Sequence, residues 1–172
     1  MDERAKAEAI PGALGGKESV ALTLLAPLTG RVVPLDEVPD PVFSGRLLGD
    51  GAAIDPTGDL VVAPVAGEVA VLFPTGHALV LRTYQGQEIL IHAGIDSVSA
   101  GAFCPLVAAG QQVQPGQPLV RLDPAVLREK ARSALSPVLI MNPGPDLQVQ
   151  VVAGGTVVAG RDPLFQVVRK GT

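Results

Sequence analysis

A chain of 172 residues is long enough for one compact domain with its own core and short of two. Hydrophobic residues make up 47% of it, yet aromatics supply only 3% and Trp is absent, so the core must be built from Val, Leu, Ile and Ala. Charged residues are 17% and the net charge is −4, a balance that excludes the clustered Lys and Arg of a nucleic-acid surface.

In chain order, residues 1–19 are small and polar, broken by Pro11 and Gly15-Gly16, and read as a flexible N-terminal arm. Residues 20–172 form the domain. Short apolar runs at 20–27, 31–35, 59–64, 68–73, 77–83, 88–92, 118–122, 137–141, 147–152 and 164–168 read as strands. Turn chemistry separates them at 56–59, 85–87, 115–116 and 142–144. The 20 Gly and 16 Pro fit this pattern and exclude a helical bundle. One segment reads as a helix: Asp123 is an N-cap, Pro124 fits the first helical position, and good helix formers follow to Leu135. Val126, Leu127 and Ala131 face inward on that reading. The segments 24–35 (LLAPLTGRVVPL) and 61–72 (VVAPVAGEVAVL) share an Ala-Pro and a Gly at matched spacing, the mark of a repeated β-unit. The expected fold is all-β, a sandwich or barrel with one short helix.

Cys104 is the single cysteine, so an internal disulfide is excluded and a reducing compartment fits. No apolar run approaches the ~20 residues of a membrane-spanning helix, and the opening Met1-Asp2-Glu3-Arg4 has no apolar signal stretch. A cytoplasmic location without membrane insertion is expected.

The only two histidines, His77 and His92, lie on consecutive predicted strands. A two-residue turn at 85–86, or a four-residue loop over 84–87, pairs Thr83 with Glu88 and Leu79 with His92. His77 then lies diagonal to His92 on one face, with backbones ~7–8 Å apart; a loop of odd length puts the rings on opposite faces. Three roles stay open for such a pair: a phosphoryl-accepting nucleophile with a charge-stabilising neighbour, two ligands of a metal completed by a third, or structural residues at strand ends. Thr75-Gly76 before His77 and Ala93-Gly94-Ile95-Asp96-Ser97 after His92 release both rings at loop edges. Asp40 and Asp96 are the acidic candidates near that rim.

The stretches 34–69, TGHALVL at 75–81, EILIHAGIDSV at 88–98 and LREKARSALSPVLIMN at 127–142 resemble the glucose-type enzyme IIA of the bacterial phosphoenolpyruvate-dependent sugar phosphotransferase system. The resemblance runs from Val20 to the C-terminus. It implies a β-sandwich of intertwined duplicated units and a phosphocarrier function. By resemblance His92 is the phosphorylated nucleophile, His77 stabilises the phosphoryl group, and Thr75 orients His77. The phosphoryl group comes from the small carrier HPr and leaves to a cysteine of a glucose-family IIB domain. The docking face implied is apolar, matched by Val42, Phe43, Leu47, Leu48, Phe73, Val80, Leu90 and Val98, with Asp40 and Asp96 as its acidic fringe. Ala93, Val80 and Leu90 stand where the family commonly has aromatics, so the patch is smaller.

A phosphorylation-dependent regulatory protein with its own target proteins is the alternative on the same residues. A lysostaphin-type zinc endopeptidase needs a His-x-His that this chain lacks, and a biotinyl or lipoyl carrier needs a Lys at a tight turn beside Met. No intrinsic cofactor or metal is expected; Zn²⁺ on His77 and His92 would need a ligand from a partner.

Overall fold

The computed structural model describes residues 19–171, and only Ser19 of the predicted 1–19 arm falls within them. Among the described residues there are fourteen strands: β1 (Ser19–Leu25), β2 (Gly30–Val33), β3 (Gly49–Pro56), β4 (Leu60–Val62), β5 (Gly67–Leu72), β6 (Ala78–Arg82), β7 (Glu88–His92), β8 (Phe103–Pro105), β9 (Gln112–Val113), β10 (Pro118–Leu122), β11 (Ser136–Met141), β12 (Leu147–Val151), β13 (Thr156–Val157) and β14 (Pro163–Arg169). Each predicted strand has its counterpart. Beyond them the structure adds β3, β8, β9 and β13.

An eight-stranded antiparallel sheet runs β13-β2-β3-β11-β7-β6-β5-β9, and two three-stranded sheets run β1-β14-β12 and β4-β10-β8. The large sheet is palindromic about the β11–β7 pair, and the sequence echo explains why. Val62 N–H donates to the Pro27 carbonyl (2.9 Å), and Leu25 N–H donates to the Pro64 carbonyl (3.0 Å), which are the same positions of the two repeats exchanged. Gly30 pairs with Val157 as Gly67 pairs with Val113. Gly160 N–H donates to Ala26 as Gly116 N–H donates to Ala63, at 2.9 and 2.8 Å. Two like units thus interlock, each completing the other's edge strands.

Alternation along the strands divides the interior into two clusters. The larger one, with Leu24, Ile54, Val61, Leu79, Ile89, Ile91, Leu119 and Phe165, fills the space between the large sheet and the two small ones. The other face of the large sheet presents Ala53, Ala78, Val80, Leu90 and Leu139, which pack against Leu35, Val38 and Phe43. Those last residues belong to a helical cover: a single 3-10 turn at Leu35–Glu37 and the helix α1 (Pro41–Ser44).

The expected helix after Asp123 is α2 (Pro124–Lys130), capped by the Asp123 carboxylate on Val126 N–H at 3.1 Å. It stops before the predicted end because Arg132 N–H turns away to the Ile95 carbonyl (3.0 Å). Leu127 is buried, while Val126 and Ala131 are half-buried.

Candidate functional site

The hairpin carrying the histidines differs from the expected register. Thr83 N–H donates to the Gln87 carbonyl (2.9 Å), so the loop is the three residues Tyr84-Gln85-Gly86, with Gly86 at φ +89°. His92 therefore pairs with Ala78 rather than Leu79. Strict alternation would separate the rings, yet their centroids are 5.2 Å apart with planes at 82°. The reason is local. His77 lies one residue before β6, after a turn in which Gly76 N–H donates to the Phe73 carbonyl and Gly76 adopts φ +79°. Outside the strand, its side chain is free of the strand's alternation, while Ala93 N–H still holds its carbonyl (2.7 Å).

Each imidazole has a partner on Nδ1. The Nδ1 of His92 lies 2.8 Å from the Gly94 carbonyl oxygen, which can only accept. Neutral His92 therefore carries its proton on Nδ1 and a lone pair on Nε2. The Nδ1 of His77 meets the Thr75 hydroxyl at 2.5 Å. A hydroxyl donating there leaves the His77 proton on Nε2, so a nucleophile and a donor stand side by side.

Burial lowers the pKa of both rings, and the neighbouring His92 lowers that of His77 further. For His92 the Gly94 carbonyl and the carboxylates of Asp40 and Asp96 oppose the effect of burial, without reversing it. Both rings are thus biased toward the neutral form.

Aromatic side chains enclose the pair. Phe43 lies 5.1 Å from His92 by ring centroids, and Phe73 and Phe103 lie 5.3 and 6.5 Å from His77. Three of the chain's four Phe thus surround two imidazoles. Phe103 on β8 escaped sequence reasoning because FCP resembles a loop more than a strand.

The residues of the expected docking face divide into two groups. Val42, Phe73 and Val98 are exposed, and so is Leu47 at 68%. Phe43, Val80 and Leu90 are core residues at 4, 8 and 5% exposure, so they support the site from beneath and have little surface to offer. Leu48 is half-buried against the same cluster. Val71 opposes Val80 across the β5–β6 ladder and is exposed, an apolar surface position the sequence did not single out. Asp40 caps α1 through Val42 N–H at 3.0 Å. Asp96 sits at φ +51° with its carboxylate 3.8 Å from Arg132 Nη1. Among the described residues no three His, Cys, Asp or Glu side chains converge as a metal site.

A β-sandwich of two interlocked repeats, with paired neutral imidazoles at one rim, defines a protein class built around the chemistry of histidine. Residues 22–144 match the family described as phosphoenolpyruvate-dependent sugar phosphotransferase system, EIIA 1, and the chain belongs to that family. It is 41% identical over 157 residues to the PTS system glucose-specific EIIA component of Bacillus anthracis, covering 90% of this chain and 95% of that protein. It is also 41% identical over 165 residues to the N-acetylglucosamine-specific EIICBA component of Escherichia coli (strain K12), covering 95% of this chain and 25% of that protein. Among solved structures the glucose permease IIA of Mycoplasma capricolum matches with a TM-score of 0.77 at 37% identity, covering 88% of this chain and 96% of that one. The chain is a phosphocarrier of the sugar phosphotransferase system, with phosphotransfer as its activity. No helix among the described residues is long and apolar enough to cross a membrane.

Proposed function

We propose that His92 accepts a phosphoryl group on Nε2 from the phosphohistidine of HPr and passes it to a cysteine of a glucose-family IIB domain in the cytoplasm. The observation that carries this reading is the Nδ1–H bond of His92 to the Gly94 carbonyl, which leaves the Nε2 lone pair free. In the transfer an N–P bond forms at His92 Nε2 as the donor's N–P bond breaks. The electron pair of the broken bond and the donor ring's proton stay on the donor. The Nδ1 proton of His92 stays on Nδ1, donated as a hydrogen bond to the Gly94 carbonyl, so the acceptor side moves no proton.

The chemistry is therefore mostly positioning and charge stabilisation. His77, held by Thr75, donates Nε2–H to a phosphoryl oxygen and offsets charge as it develops. The buried Phe43, Val80 and Leu90 fix the floor under His92. Val42, Phe73 and Val98 present apolar surface beside it, and Asp40 and Asp96 supply acidic groups that attract a basic partner. The phosphoryl group arrives on the donor's imidazole, so this reading calls for no resident cofactor or metal.

Incubation with phosphoenolpyruvate, enzyme I and HPr tests it. One acid-labile phosphoryl group should appear by intact mass on the wild type and none on His92→Gln. His77→Gln should still be phosphorylated, but more slowly. A His92→Gln protein that gains the group would overturn the assignment.

A further inference from the structure

The proton on His92 Nδ1 depends on where the Gly94 carbonyl points, and the structure shows what aims it. Gly94 adopts φ +76°, and a Cβ there would lie 2.7 Å from Leu127 Cδ1, so the residue is fixed as glycine. Glycine is the most permissive residue of the backbone and does not hold its own conformation. Two contacts hold it, one from the segment before β11 and one from the first residue of that strand. Ile95 N–H, in the same peptide unit as the Gly94 carbonyl, donates to the Ser133 carbonyl (2.8 Å). Gly94 N–H, on the other side of the same Cα, donates to Ser136 Oγ (3.0 Å), and that hydroxyl donates in turn to the Ala134 carbonyl (2.9 Å).

Ser136 is fully buried, and its hydroxyl is both acceptor and donor in this chain. Gly94 is buried as well, so without the hydroxyl its N–H would have no partner and no water to replace one. We infer that Ser136 is a positioning residue for the phosphoryl-transfer reaction: through Gly94 it holds the carbonyl that fixes His92 in the Nδ1–H form. The inference rests on His92 Nε2 being the acceptor, but its first readout does not.

The polarity of the chain supports the role. A carbonyl whose peptide unit is itself hydrogen-bonded at the N–H is a stronger acceptor. The Ser133 carbonyl thus strengthens the bond from His92 Nδ1, while Ser136 fixes the geometry in which that bond is made. A small rotation of the Gly94 peptide would lengthen the bond and let the ring take its other tautomer, with the proton on Nε2 and no lone pair there for attack.

The test compares Ser136→Ala, Ser136→Thr and Ser136→Val in the full chain. The imidazole ¹⁵N shifts of His92 in the unphosphorylated protein report the tautomer directly. The wild type and Ser136→Thr should show Nδ1–H, and Ser136→Ala should show a mixed population. Initial rates of phosphorylation by phospho-HPr should fall about ten-fold or more in Ser136→Ala, since small misplacements of reacting groups cost factors of that size. Thr and Val add the same volume to the buried site, so Ser136→Thr should outpace Ser136→Val, and this comparison decides if the Ala variant fails to fold. A folded Ser136→Ala with an unshifted tautomer, or Thr and Val variants slowed alike, would overturn the inference. A shifted tautomer with phosphate found on a residue other than His92 would uphold the positioning and overturn the assignment of the acceptor.

Discussion

Phe43 lies against His92 with ring centroids 5.1 Å apart and planes inclined at 56°. The contact joins the helical cover to the end of β7, because Phe43 is the buried residue of α1 and His92 closes its strand. One side of the imidazole is thereby kept from water, and the ring stays neutral for the same reason. Truncating Phe43 to Ala should cost about 3 kcal/mol of stability and raise the pKa of His92 toward its ordinary value. Phe43→Leu, which keeps an apolar floor, should do much less of both. Urea unfolding and NMR titration of His92 check the pair of outcomes.

The lowered histidine pKa values set a pH dependence with a definite sign. Above the ordinary imidazole value of ~6.5 the rings are neutral in both the folded and the unfolded chain. Below it the unfolded chain takes up protons that the folded chain binds only at lower pH, so stability falls across that window. The His77→Gln/His92→Gln double variant should lose less stability between pH 7 and pH 5 than the wild type. Phosphoryl acceptance by the wild type should also persist below pH 6.5, because Nε2 stays unprotonated.

Asp40 and Asp96 both favour the charged form of His92, but their surroundings differ. Arg132 lies 3.8 Å from the Asp96 carboxylate and offsets its charge, whereas among the described residues the Asp40 carboxylate is engaged by the Val42 N–H and by no side-chain cation. Asp40→Asn keeps an N-cap on α1, lowers the pKa of His92 further, and should flatten the salt dependence of transfer from HPr. Asp96→Asn should change that slope less. Stopped-flow rates across an ionic-strength series measure both, and an unchanged slope in Asp40→Asn would reduce that carboxylate to a helix cap.

Gly94→Ala should be destabilising by about 1–3 kcal/mol from its left-handed backbone alone, with the contact to Leu127 adding to it. Thermal unfolding gives the stability, and the His92 tautomer gives the local effect. A Gly94→Ala protein as stable as the wild type would mean that the loop relaxes freely, against the packing seen here.

Much of this architecture is written in patterns that single residues make visible. Strands rich in Val, Ile and Leu declare themselves, and the Ala-Pro echo announces the duplication. Strand β3, at the heart of the large sheet, stays hidden because close backbone approach demands glycine. A Cβ on Gly51 would lie 2.0 Å from the Val138 carbonyl oxygen, so this strand cannot carry β-branched residues there. Helix α1 begins with Asp40-Pro41, the same start signal as Asp123-Pro124, but a single turn is too short to show a hydrophobic period. The two histidines stand out by scarcity. They meet in spite of the three-residue loop, because the turn at Gly76 takes His77 out of the strand's alternation, a feature that a register argument from strand length does not resolve. Ser136 carries no signal at all, since a serine opening a strand reads as turn chemistry until Gly94 is seen bonded to it.

The central claim is that Nε2 of His92 is the phosphorylated atom while Nδ1 keeps its proton, donated to the Gly94 carbonyl. ¹⁵N–³¹P NMR of the protein, labelled in its histidines and loaded through phosphoenolpyruvate, enzyme I and HPr, tests it most directly. The account predicts one phosphorus resonance coupled to His92 Nε2, with Nδ1 still protonated. Coupling to Nδ1, or phosphorus on His77, Thr75 or Ser97, would contradict it.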